Sequence, residues 1–342
     1  MPNSALNYPI DLILSDYHDS FTIYPEVEKV FAGLDWLVRR RNFGSFVPSM
    51  LLTGGTGSGK SASIKHYIDN NLSDSEVLLT RVRPTLHETL LWMAKNLNAY
   101  RNSRAKPSDI GLMDRVIGCL KKANLKLLII EECQELFECT SHKERQDIRD
   151  RLKMISDDCK LPIVFVGIPS AKLILEDSQW QRRIMVKREL PYVKITDDSS
   201  IDRYLDLLEA MQASVPIPFE VDLTDVDSAV RLLAASRGIL SNMKELIASA
   251  IESSLHLGRQ TIRLDDFRLG YEAIYGVDEA NPFSINADEL VIKQIESYEG
   301  SGPAAKKKKL DGSGEYVVDA ANGELKFVQQ IFNELTIEQL LG

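Results

Sequence analysis

The chain has 342 residues, 44% hydrophobic and 27% charged, with a formal net charge of −9 at pH 7. At roughly 100–200 residues per domain this is about two domains with a sizeable core, which excludes a wholly disordered, collagen-like or coiled-coil chain. No apolar run approaches the ~18 residues that span a bilayer, and an acidic protein does not coat nucleic acid indiscriminately, so any DNA contact is expected from a local basic surface.

Residues 1–45 are expected to form a mostly helical lead-in, because Val27, Val30, Phe31, Leu34 and Leu37 recur at helical spacing. The start of the chain has no basic stretch followed by an apolar one, so no secretory signal is expected. FVPSMLLTGGTGSGKSASIKHYIDNNL reads as strand, glycine loop and helix. A second strand is predicted at 76–82, helices at about 85–100 and 109–123, and a short apolar strand at 126–130. A helix near 144–157 puts Ile148, Leu152 and Ile155 on one face, and strands at 161–169 and 183–195 complete five. Strands alternating with helices imply an α/β fold with a parallel sheet covered on both faces. From 200 to 276 the pattern turns helical, with Met243, Leu246, Ile247, Ala250 and Ile251 on one stripe.

A linker is expected at 277–299. Beyond it, PAAKKKKLD (303–311) lies between two Gly-Ser-Gly stretches and resembles a short nuclear localisation signal set into engineered flexible linkers. The span 300–314 is therefore set aside from fold reasoning. Its four lysines and one aspartate give +3, so the rest of the chain stands at −12, three more negative than the whole. The tail, 315–342, carries a hairpin signal at Asn322-Gly323, an amphipathic FVQQIFNEL, and a capping-box spacing at Thr336 and Gln339. It is read as a partner-binding element, the alternative being a cap packed on its own domain.

Four cysteines (Cys119, Cys133, Cys139 and Cys159) form no CxxC pair and are expected as free thiols of a reducing compartment. The five histidines include no HExxH, so no zinc site is expected. Trp92 and Trp180 lie on helical patterns and are read as core or interface residues.

Gly54-Gly55-Thr56-Gly57-Ser58-Gly59-Lys60-Ser61 fits G-x-x-x-x-G-K-[ST] at every fixed position, between an apolar strand and a helix. Phosphate oxygens must touch backbone N–H groups there, which a Cβ would obstruct, and the helix N-terminus adds partial positive charge. Lys60 is expected on the β and γ phosphates and the Ser61 hydroxyl on Mg²⁺. LLIIEEC ends an apolar strand in two acids. Glu131 is expected to support Mg²⁺ and Glu132 to polarise the attacking water. A strand intervenes between the two motifs, which favours ATPases whose two motif strands are not sequence neighbours over nucleotide kinases. Arg182 and Arg183, before the fifth strand, are the candidates for an arginine finger acting in a neighbouring subunit.

GGTGSGKS, LLIIEECQEL, IVFVGIPSA and SQWQRRI, in that order and spacing, resemble AAA+ ATPases of the TnsC/TniB type, regulators of transposons that include the CRISPR-associated ones. The resemblance covers roughly 20–276. It implies a lead-in at 1–45, a P-loop AAA+ core at 46–199 with a parallel five-stranded sheet, and a helical lid at 200–276. It further implies ATP and Mg²⁺ as cofactors, and homo-oligomerisation as a ring or filament on double-stranded DNA. The partners implied are a transposase and a target-selection protein of the TniQ type, with no membrane. The parent protein is expected in the bacterial cytoplasm, the basic insert directing it to a eukaryotic nucleus. DNA contacts are expected at Arg101, Arg104 and Lys106, in a basic loop, and at Lys143 and Arg145 after the acid pair.

Two positions depart from the family pattern. Ile168 stands where a polar sensor threonine is common, with Ser170 as a possible substitute, and Ser241 stands where initiator-type relatives place an arginine. Arg237 and Lys244 are the nearby second-sensor candidates. Slow hydrolysis fits both departures. The alternatives are a helicase-loader or initiator-like ATPase, a nucleotide-gated scaffold with negligible hydrolysis, and, more distantly, a P-loop kinase.

Overall fold

A computed structural model describes residues 10–44, 46–83, 85–98, 108–138, 141–277, 280–300 and 328–341. Two helices come first, α1 (Ile10–Asp19) and α2 (Pro25–Arg40). The core then runs β1 (Ser49–Gly54), α3 (Lys60–Asn71), β2 (Val77–Arg81), α4 (Leu86–Asn96), α5 (Asp109–Ala123), β3 (Leu127–Glu131), α6 (Glu135–Glu138), α7 (His142–Cys159) and β4 (Ile163–Gly167). A 3₁₀ segment (Pro169–Glu176), α8 (Ser178–Arg183) and β5 (Ile184–Leu190) close it. The lid is α9 (Asp198–Ala213), α10 (Val226–Ser236), α11 (Leu240–His256) and α12 (Leu264–Tyr275); β6 (Val291–Gly300), β7 (Val328–Thr336) and α13 (Ile337–Leu341) follow.

Local chemistry sets the boundaries. Pro25 opens α2, where its missing N–H costs nothing. Thr85, Ser108 and Ser141 each accept a backbone N–H at the start of α4, α5 and α7. Pro191 follows the last residue of β5, so the strand is shorter than the predicted 183–195.

The five core strands are parallel, in the order β2-β3-β4-β1-β5. β4 therefore lies between the P-loop strand β1 and the acid-pair strand β3. Alternate residues feed opposite faces. Leu51, Leu128, Ile130, Ile163 and Phe165 pack with α4, α5, α7 and α8, whereas Met50, Leu52, Ile129, Val164 and Val166 pack with α2 and α3. A register shift between Ser49 and Met50 bulges β5 at Met185 and turns that side chain into solvent, 58% exposed.

The expected lead-in divides. α2 joins the sheet core, while α1 packs on lid helix α11, with Tyr17 buried among lid residues. The expected linker at 277–299 is structured instead. Leu290 and Ile292 are buried against the lid, and the Arg231 guanidinium donates to the Pro282 and Ile285 carbonyls at 2.6 and 2.8 Å. Gln294, buried, donates to the Ile195 carbonyl at 3.1 Å and accepts its N–H at 2.9 Å, like a strand partner.

The amphipathic tail segment forms β7, antiparallel to β6, and Leu340 of α13 is buried in the lid core. The described part of the tail, 328–341, thus packs on its own lid, the alternative weighed beside the partner-binding reading. Gln339 accepts the Thr336 N–H at 3.0 Å, as the capping spacing predicts. The hairpin signal at 322–323 and the basic insert from 301 lie outside the described residues.

Candidate functional site

The P-loop links the end of β1 to α3. Gly57 and Gly59 hold φ of +75° and +89°, the left-handed region that glycine enters freely. A Cβ on Gly54 would stand 2.5 Å from the Leu190 carbonyl oxygen, and one on Gly57 would collide with Ser241 Oγ. The lid therefore touches the loop directly: the Ser241 N–H donates to the Gly57 carbonyl at 3.0 Å. Position 241, expected for a sensor arginine, is filled by a small residue seated where Gly57 lacks a side chain.

Lys60 curls back and donates to the Gly54 and Gly55 carbonyls, both at 2.8 Å. Burial lowers its pKa, and the charges of Glu132 and Cys133 oppose that shift. The ammonium is thus held with less than its full solvation, and an anion at the loop would supply what water does not. Ser58 Oγ is buried without a partner among the described residues. These features, an unsatisfied hydroxyl inside a glycine cradle with an ammonium at its mouth, fit a nucleotide phosphate chain. Ser61 Oγ donates to Glu131 Oε1 at 3.0 Å, so a hydroxyl and a carboxylate converge where a hydrated Mg²⁺ would bind.

A cavity of about 360 Å³ opens beside the loop. Thr56, Lys60, Ser61 and Glu132 form its polar end; Phe21, Tyr24, Met211 and Leu240 form its apolar end. Residues 20–24 reach it as the crossing from lid-bound α1 to core-bound α2. Phe21 stacks on His66 of α3 at 4.2 Å between centroids. Lys244, one of the second-sensor candidates, lines the same cavity. Its ammonium donates to the His18 and Ser20 carbonyls at 2.7 and 2.6 Å, and burial lowers its pKa. Arg237, the other candidate, is exposed at the end of α10 and does not line the cavity.

Glu132 adopts a left-handed φ of +50°, which turns it off the axis of β3 toward the cavity. Its Oε2 accepts from Gln134 Nε2 at 2.6 Å, and Gln134 Oε1 in turn accepts the Ile168 N–H at 3.3 Å. Gln134 is nearly fully buried, and a Cβ on Gly167 would stand 2.6 Å from its Oε1. The polar link missing after β4 at Ile168 thus comes from the turn that follows the neighbouring strand β3. Sequence reasoning quoted Gln134 within LLIIEECQEL but gave it no role; the signal was a polar residue two places after the acid pair, beyond the buried Cys133. Ser170, weighed as a substitute sensor, makes no such link.

The arginine pair splits. Arg183 makes a bidentate pair with Asp157 at 2.7 and 2.8 Å, fastening α8 to α7. Arg182 is exposed and makes no ion pair among the described residues; its guanidinium lies over the Phe46 ring at 5.3 Å. Ile184 pairs with Ser49, at the far end of β1 from Gly54. Five residues at about 3.3 Å each separate Arg182 from its own P-loop by some ~16 Å, so it cannot serve that loop. Arg183, expected alongside it as a finger, is a structural residue here.

Of the expected DNA contacts, Arg101, Arg104 and Lys106 lie outside the described residues. Lys143 is exposed on the first turn of α7. Arg145 donates to the Phe137 carbonyl at 3.1 Å, so it braces α6 rather than standing free. Trp180 is buried edge-on against Phe165. Trp92 is 38% exposed under the Arg83 guanidinium, 4.2 Å away, and is not a core residue. Cys119, Cys133 and Cys159 are free thiols, and no His, Cys, Asp and Glu cluster suited to a metal occurs among the described residues. No helix among the described residues is long and apolar enough to cross a membrane.

A parallel sheet in this order, a P-loop after β1, acids after β3 and a helical lid touching the loop define the AAA+ class of P-loop proteins. The chain matches the family model of the bacterial TniB protein over residues 13–194, more than half its length, and belongs to that family. Solved structures share the fold at low identity. Aeropyrum pernix Orc1 in complex with DNA is 16% identical with a TM-score of 0.56, over 77% of this chain and 68% of that one. Aeropyrum pernix Orc2, in ADPNP–ADP complexes, is 15% identical with a TM-score of 0.55, over 80% and 75%. Pyrobaculum aerophilum Cdc6p is 15% identical with a TM-score of 0.54, over 75% and 69%. Comparison with curated protein sequences finds no match.

Proposed function

We propose that this chain is an ATPase that assembles on double-stranded DNA and links a target-selection protein to a transposase. The observation that carries the nucleotide half is the convergence of Lys60, Ser61 and Glu132 on one cavity beside a glycine cradle, with Glu131 bonded to Ser61 from outside it. Family membership supports the transposition half. The fold relatives solved with DNA and with ADPNP–ADP make DNA and nucleotide the ligands to try first.

The residues divide the work. Backbone N–H groups of 55–60 and Lys60 hold phosphate oxygens. Ser61 and Glu131 orient the metal, which when bound lends positive charge to the phosphates. Glu132 accepts a proton from the attacking water, and Arg182 completes the site of another copy. Lys60→Ala abolishes nucleotide binding and nucleotide-dependent assembly. Glu132→Gln retains binding but loses water activation, so it accumulates the assembled form. A Glu132→Gln protein that hydrolyses ATP at the normal rate would refute the role of Glu132.

A second reading, a nucleotide-gated scaffold with negligible hydrolysis, is favoured by Ile168, an apolar residue directly after β4 where a polar sensor is common. Turnover at background with DNA present would select it.

A further inference from the structure

α8 has six residues, too few to hold a helix by itself, so what surrounds it sets its direction. Trp180, fully buried against Phe165, fixes its depth. The rest comes from α7. Arg145, Arg149, Lys153 and Asp157 recur at every fourth position there and so share one face. Arg145 bonds back to α6 and holds that end of α7 to the core. The others reach the α8 segment in register. Arg149 lies 3.7 Å from Asp177, the N-cap of α8. The Lys153 ammonium donates to Gln179 Oε1 and pairs with Asp150 at 2.6 Å. Asp157 accepts from both arms of the Arg183 guanidinium.

These groups are costly where they stand. The side chains of Lys153, Arg149 and Asp177 are 10%, 13% and 8% exposed. Apolar residues would fasten the two helices with less desolvation. What a row of bonds at fixed spacing adds is direction. Each bond ties a different residue of the α8 segment, so the helix can neither turn about its axis nor slide. Arg182 leaves α8 beside this row, exposed, with its guanidinium over Phe46 next to that of Arg183. A turn of α8 would carry Arg182 with it, and at a reacting centre a displacement of about 1 Å can cost about 10²-fold in rate.

We propose that Lys153 and Asp157 are positioning residues for hydrolysis: acting through Gln179 and Arg183, they aim Arg182 at the phosphates of a second copy. This rests on the reading of Arg182 as the residue that completes another copy's site, and it adds the residues that direct it. The defect of a Lys153 or Asp157 variant therefore falls on the neighbour's site and spares its own, which a merely structural role would not do.

The test uses the full chain with a short DNA duplex. An aiming variant (Lys153→Met with Asp157→Asn) is compared with Asp157→Asn alone, Arg182→Ala and Lys60→Ala. Thermal unfolding and a nucleotide titration establish that the aiming variant folds; if it does not, Asp157→Asn takes its place, since that side chain is 41% exposed and the change is small. In steady-state hydrolysis the aiming variant loses about tenfold or more in kcat at unchanged KM. Lys60→Ala cannot use nucleotide but keeps a directed Arg182, and it joins at a contact that carries the other chain's nucleotide. Mixed with it, the aiming variant regains hydrolysis that neither chain shows alone. Arg182→Ala mixed with Lys60→Ala regains it in the same way. If Arg182→Ala is slow but the aiming variant keeps a normal kcat, the proposal is overturned. It is overturned too if Lys60→Ala rescues Arg182→Ala but not the aiming variant. If Arg182→Ala hydrolyses normally, or is not rescued, the reading of Arg182 as a residue given to another copy fails instead.

Discussion

Glu132 and Gln134 show how much of this site turns on one amide. Gln134 spends both ends of its side chain, one on the catalytic candidate and one on the Ile168 backbone. Gln134→Glu keeps an acceptor for Ile168 but sets a like charge against Glu132. If the amide positions Glu132, this variant lowers kcat about tenfold or more at unchanged nucleotide affinity, since an interaction made in the transition state alone is lost. If Gln134 only braces β4, Gln134→Glu hydrolyses normally while Gln134→Leu loses stability. A steady-state rate and a nucleotide titration on both variants separate the two. The P-loop was legible from its residues because glycine spacing, lysine and serine are each fixed by local backbone chemistry. Gln134 was not, because its role depends on a neighbouring strand 34 residues away in sequence.

Among elements, the core strands were readable because continuous apolar runs such as KLLII and IVFVG need burial on both faces, which a central parallel strand supplies. The lid stripe on α11 was readable for the same reason at helical period. Placement was harder. α1 and α2 look like one helical lead-in, yet Tyr17 belongs to the lid and Val30 to the sheet core. β7 pairs with β6 across a long intervening segment, a contact that no local pattern announces. Through β6 the end of the chain reaches the joint between core and lid. Gln294 satisfies both backbone groups of Ile195 there, just before α9. Gln294→Ala leaves a buried N–H and a buried C=O unpaired, and the expected loss is about 1–3 kcal/mol in denaturant unfolding. A change below a few tenths of that would mean water replaces the amide and the joint is not held from β6.

For the whole molecule, the opposed sheet edges are the feature that a single chain does not explain. Arg182 is exposed, remote from its own loop and without an acid partner among the described residues, while Asp69 and Asp74, at the other edge, make no ion pair among the described residues either. Arginines supplied to another subunit's phosphates can add about 10³–10⁵ in rate in GTPases. On this account nucleotide, second copy and hydrolysis are coupled, and the lid contact at Gly57–Ser241 ties that coupling to the loop. The most direct measurement is particle mass in solution with ATP, a slowly hydrolysed analogue and ADP, each with and without a short duplex. The account predicts a rise in mass that needs triphosphate and DNA together, persists with the analogue and reverses with ADP. A monomer under every condition would contradict it and leave only a nucleotide-binding protein of this fold.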